Sequence, residues 1–195
     1  EDNNISEEEV AQAAHMSLRN FRRQIHSEDR TQTRIVLILA DYNHQSIDSI
    51  FFDQMYNQPI NLEGLTWNQV QDIMKLIHPE LFTDIKRSSK FKDFEYNLKN
   101  DMGDRMRFIR EVVFSLSQTQ FGKYMEVTRN TAKYWDEGQI NVDKILKILQ
   151  RTNISMDFMI RDNYPLTLQT QDMSEALYLA VMTNCVLYRL RNMKQ

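Results

Sequence analysis

Glycine and proline are scarce in this chain, four of one and three of the other in 195 residues. Strand-rich folds turn sharply and often, and those turns lean on Gly, Pro and Asn-Gly pairs. So few of them leaves room for few sharp corners, and the fold class expected is all-α. Apolar residues make up 42% and charged residues 26%, which supports a packed core and argues against a disordered chain. The length suits one large domain or two small ones.

Hydroxyl and carboxamide side chains stand where helices should begin. Ser6 can cap a helix through Ala14, with Glu7, Glu8 and Glu9 beside the positive end of its dipole. Ser17 opens a second helix, Leu18–His26, only a few residues later. Thr33 starts Arg34–Asp41, apolar nearly all round, a buried helix or a short strand. Ser46 opens a short turn of helix. Residues 53–65, with Pro59 and Gly64, read as a connector. Thr66 caps a helix with Trp67, Val70, Ile73, Met74 and Ile77 on one face, stopped by Pro79. A basic loop (Lys86, Arg87, Lys90, Lys92) and a helix from about Phe91 follow.

From Asp104 the pattern sharpens into five helices. Met106, Ile109, Arg110, Val113 and Phe114 share one face of the first. Ser117 caps the second, Thr128 the third, Asn141 the fourth and Ser155 the fifth, while Gly138 ends the third as a left-handed C-terminal residue. A last helix, Ser174–Met193, is expected to bury Leu179, Met182, Val186 and Leu190 on one stripe and Leu177, Val181 and Tyr188 on another. So wide an apolar surface needs cover on more than one side, from the connector or from a second chain.

The run from Ser117-Gln118 through Phe121-Gly122, Val127-Thr128, Ala132 and Trp135-Asp136-Glu137-Gly138 resembles the Cro/CI (XRE) helix-turn-helix pattern. Ser155-Met156-Asp157-Phe158-Met159-Ile160 resembles that family's closing segment. The resemblance implies a lambda-repressor-like bundle that binds double-stranded DNA, in a prokaryotic or phage-type transcriptional regulator. A recognition helix offers its first-turn side chains to the major groove. Here these are Thr128, Arg129, Asn130 and Thr131; Arg can bridge guanine and Asn adenine. Ser117 and Gln118 match the family's phosphate anchor, and Lys133 and Lys123 add phosphate contacts. The whole chain carries a net charge of -3, yet residues 105–162 hold ten basic and seven acidic residues, a local +3. Two positions depart from the pattern. Glu126 stands where the family's turn carries Gly, and Asp136 replaces the Glu after Trp. Family members usually bind as dimers, so a homodimer is expected; the resemblance leaves room for an inducer or protein partner, which the sequence does not specify.

The N-terminal segment repeats this layout. Ser6, Val10, Ala11, Met16 and Ser17 match Ser117, Phe121, Gly122, Val127 and Thr128 at an offset of 111 residues, and Ser46-Ile47-Asp48 matches Ser155-Met156-Asp157 at 109. Ser17, Leu18, Arg19 and Asn20 would then lead a second recognition helix, with Arg22 and Arg23 behind. This copy lacks a first helix. Either the chain is cut short there or another segment, 66–78 being the candidate, fills that groove. The architecture expected is a tandem of helix-turn-helix bundles, 1–56 and 104–165, joined by a helical connector, 57–103, with an apolar C-terminal helix at 166–195. The connector would set the spacing between the two readers.

Other chemistry has little footing. His15, His26, His44 and His78 show no metal-ligand spacing with one another or with Cys185, and no glycine-rich phosphate loop is present. No enzyme activity, cofactor or metal is expected. The single cysteine suits a reducing cytoplasm, the acidic start is the opposite of a signal peptide, and the most apolar stretch, 176–190, is too broken to span a bilayer. The competing class is a protein-interaction adaptor or antirepressor built on the same folds.

Overall fold

The computed structural model describes residues 5–26, 33–51, 58–82, 97–98 and 101–194. Among them lie eleven α-helices and one two-stranded sheet. The basic stretch Lys86–Lys92 and the helix expected from Phe91 lie outside the described residues.

The N-terminal unit holds α1 (Glu7–Ala13), α2 (Leu18–Ile25), α3 (Thr33–Tyr42) and α4 (Ile47–Phe51). Ser6 caps α1 in a reciprocal box with Glu9, and Ser17 caps α2 by accepting from the Asn20 amide. Each such cap contributes about 1 kcal/mol. Val10, Ala11, Ala14, Phe21 and Ile35 form a small core of their own. On another face of α3, Val36 and Ala40 belong instead to the main core. The helix is thus shared between two cores, which explains why its sequence is apolar nearly all round.

The remaining helices are α5 (Trp67–Ile77), α6 (Met102–Phe108), α7 (Gln118–Tyr124), α8 (Arg129–Asp136), α9 (Val142–Thr152), α10 (Met156–Ile160) and α11 (Glu175–Asn192). Asp101 caps α6, so that helix begins earlier than Asp104. It closes in a π-helical turn, Ile109–Val113, where Phe114 N–H donates to the Ile109 carbonyl at 3.0 Å. The last carbonyls of a helix have no partner within it, and Gln71 of α5 donates its side-chain amide to one of them, the Val112 oxygen, at 2.6 Å. Phe108, Ile109, Phe114, Phe121, Trp135, Ile148 and Phe158 pack with Val70, Ile73 and Met74 in one core.

That packing corrects several expectations. Residues 66–78 do not cover the N-terminal unit; α5 packs on the π turn and on α11, because its apolar face matches the larger core. The stretch read as a plain connector forms β1 (Ile60–Asn61), antiparallel to β2 (Thr167–Leu168). Its alternation Ile60-Asn61-Leu62 puts Ile60 and Leu62 inward. Helix α11 buries Val181 and Cys185 toward α5, but the stripe of Leu179, Val186 and Leu190 is about half exposed (54%, 47% and 51%). One side of the helix is covered and the other is not. No described helix is long and apolar enough to cross a membrane.

The two units also meet directly, through α4 and α10. Asp157 accepts from the Ile47 and Asp48 amides at the start of α4 (3.0 and 3.3 Å), and Asp48 accepts from the Met156 amide at the start of α10 (2.7 Å). Each short helix is capped by the carboxylate of the other. Their relative placement is therefore held by this contact and not only by the connector.

Candidate nucleic-acid interface

Helices α7 and α8 are joined by a turn closed on itself. Ser117 and Gln120 cap α7 reciprocally, Thr128 accepts from the Thr131 amide to cap α8, and Val127 N–H donates to the Gly122 carbonyl at 2.8 Å. Gly122 allows this close approach, since a Cβ there would lie 2.9 Å from the Val127 oxygen. On the inner side Phe121 and Trp135 meet edge to face, 6.3 Å apart, with Ala132 between the helices and buried.

The outer side carries the expected residues. Ser117, Thr128, Arg129, Asn130 and Lys133 are exposed; Gln118 and Thr131 are half-buried. Lys133 lies 3.6 Å from Glu137, both at the surface. The starts of α7 and α8 border one polar cleft of about 360 Å³, lined by Arg110, Glu111, Ser117, Gln118, Thr119 and Arg129. The capping box uses the Ser117 and Gln120 amides internally, leaving those of Gln118 and Thr119 for an outside acceptor.

Three features were not read from the sequence. Tyr134 is 50% exposed on the outer side of α8, one turn after Asn130; its spacing from the buried Ala132 and Trp135 was the available signal. Gln118 does not project freely, since its amide donates to Asp136 at 2.8 Å. Asp136 in turn holds Arg110 by two bonds, 3.1 and 2.7 Å, with both side chains almost fully buried. Burial works against the Arg110 charge, but Asp136 and then Glu111 outweigh it and hold its pKa above the usual value. The Asp at 136 is thus the inner partner of a network that fixes the cleft's floor.

The turn residue Glu126 adopts a left-handed φ of +54°, a conformation most side chains pay for. It is exposed and pairs with Arg151 at 2.7 Å. The hydrogen bond and charge of Arg151 hold its carboxyl below the usual range. Arg151 also bonds the Tyr124 carbonyl, and the Tyr124 hydroxyl bonds the Arg151 carbonyl. The end of α9 thereby braces the turn and neutralises the anion that stands beside it.

The helix pair α1–α2 repeats these bonds. Met16 N–H donates to the Ala11 carbonyl at 3.0 Å, as Val127 does to Gly122. His15 is left-handed at +52°, matching Glu126, and His44 at +53° matches Asn153 at +57°. Of the residues expected there, Ser17, Arg19, Arg22 and Arg23 are exposed and Asn20 is half-buried. Arg22 is held by Glu7 at 2.7 Å and Arg23 by Asn20 at 2.8 Å. Surface pairs of this kind are weak and exchange readily. Among the described residues no group of three His, Cys, Asp or Glu side chains is placed to hold a metal. The chain matches no protein-family model, no curated protein and no solved structure.

Proposed function

We propose that this protein is a sequence-specific, DNA-binding transcriptional regulator of the Cro/CI helix-turn-helix type, reading the major groove with α8. One observation carries the proposal. The front edge of α8, Thr128 to Asn130, is open to solvent, and Arg129 shares a polar cleft with the start of α7. An arginine and an amide on a helix edge, beside unpaired first-turn amides, meet the requirements for base and phosphate contact together. The repeated bonds of α1–α2 support a second helix-turn-helix, with Arg19 and Asn20 on its front edge. The half-exposed Leu179, Val186 and Leu190 of α11 supply a face on which a second copy of the chain can pack.

Arg129→Ala and Asn130→Ala should each weaken specific duplex binding by about 1–3 kcal/mol and relax base preference. Binding should fall steeply between low and moderate salt. Mobility-shift titrations with unchanged affinity and selectivity reject the assignment. The adaptor reading draws on Tyr134, an exposed aromatic of the kind protein interfaces favour; it prevails if no duplex is retained at low salt.

A further inference from the structure

We infer that a single chain of this protein acts as an internal pseudo-dimer that reads two unlike half-sites arranged in inverted orientation on one duplex. The inference rests on the DNA-binding reading above and adds the symmetry and stoichiometry of the target.

The contact between α4 and α10 is made by equivalent residues of the two units. Ile47 and Asp48 correspond to Met156 and Asp157 at an offset of 109 residues. Asp157 accepts from the Ile47 amide, and Asp48 accepts from the Met156 amide. Residue i of one unit meets residue j of the other, and j meets i. An interface that is self-complementary in this way is isologous, the signature of a two-fold rotation. Both carboxylates are buried, 2% and 1% exposed, so the exchange belongs to the packed interior and is not a chance surface pair.

The units on either side share enough geometry for that rotation to carry α2 onto α8. Both helix pairs have a capping box at the start, a left-handed residue in the turn, and the same backbone bond across it. A two-fold rotation places equivalent points at the same height along its axis. A rotation of that kind extended over both units would bring the front edges of α2 and α8 level with each other, one on each side of the axis. Duplex DNA has its own two-fold axes perpendicular to its length, and a reader with this symmetry matches half-sites related by inversion.

The symmetry is of backbone and not of side chains. Leu18, Arg19 and Asn20 stand where α8 has Arg129, Asn130 and Thr131. Arg161, which bonds Asp157, Asp41 and the Gln45 carbonyl, has no counterpart, since the matching position is Phe52. The two arms must then differ in sequence, and a perfect palindrome is not the best target. Packing of a second copy on α11 would join two complete readers and leave the ratio at one chain per duplex.

The experiment is selection of duplexes from a random pool by the full chain, followed by native mass spectrometry of the complex with a short selected duplex. Variants of that duplex carry one arm reversed, one arm deleted, or either arm duplicated. The expected result is an inverted pair of unlike arms, one chain per duplex, and a loss of about tenfold or more when one arm is reversed. Arg19→Ala with Asn20→Ala should relax preference in one arm and Arg129→Ala in the other. A single-arm motif, a direct repeat, or two chains per arm pair overturns the pseudo-dimer and leaves the DNA-binding reading standing. If no duplex is enriched, both fall.

Discussion

Replacing Asp48 by Asn tests the contact between the two units in isolation. Burial, reinforced by the charge of Asp157, pushes the Asp48 carboxyl up to about 6 against hydrogen bonds from Ser155 and the Met156 amide. In the unfolded chain the same group titrates near 3.8. The folded state therefore binds a proton more tightly. The stability this contributes is fully present below about pH 4 and is lost as the pH rises through 6. A difference of about two pH units corresponds to about 3 kcal/mol. Asn keeps the oxygen that accepts from Met156, and its amide can donate to Ser155 or Asp157, so packing and capping survive while the charge is gone. The variant should equal the wild type near pH 4 and exceed its stability by up to about 3 kcal/mol at pH 7.5, the gap opening between pH 4 and 7. His78 contributes the opposite slope, since burial depresses its pKa below 6.5 and protonation of the unfolded chain costs stability as the pH falls. Both proteins contain it, so it cancels in the difference. Urea unfolding followed by far-ultraviolet circular dichroism across this range is the assay. A difference that does not vary with pH, or an Asn variant destabilised at pH 7.5, refutes the reasoning.

Arg110→Ala leaves Asp136 charged, buried and without its bidentate partner, and should cost about 3–5 kcal/mol in urea unfolding; a loss under 1 kcal/mol removes the network from the account. Gly103→Ala sets a Cβ 2.6 Å from the Asp136 oxygen and 2.7 Å from the Gly138 nitrogen, both backbone atoms, and should cost about 1–3 kcal/mol; an unchanged midpoint counts against the close approach of α6 to α8. Among the described residues, α1 and α2 pack on a small core of five buried apolar side chains apart from the main one, so their amides should exchange with solvent well before those of α7 and α8; equal protection in hydrogen exchange counts against a weaker N-terminal core. Leu190→Glu lies on the open face of α11 and should abolish self-association without lowering stability; sedimentation of a dimer by the variant argues for another interface.

What could be read from the residues was what forms locally. Ser6, Ser17, Thr66, Ser117, Thr128, Asn141 and Ser155 each cap the helix that follows them, since a cap needs only a side chain and an amide two or three residues on. Gly138 is left-handed at +77° for the same reason. The repeat at an offset of 111 was visible because both turns use the same local pattern of small and apolar residues. Features that join distant residues were not legible. Gln118 was assigned an outward role, yet Asp136, eighteen residues away, holds it. The β1–β2 pair, the exposed stripe of α11 and the place of α5 depended on which surfaces found a complement once the chain had closed.

Glu126 and Asp48 mark the boundary. A Glu in a glycine position was plain in the sequence, but only the fold brought Arg151 against it. The sequence alone determined an all-α chain with two similar helix pairs, because periodicity and capping act over a few residues. Tertiary structure decided that the two units are joined through carboxylates exchanged between α4 and α10, because those bonds join residues more than a hundred positions apart and exist only after both units have formed.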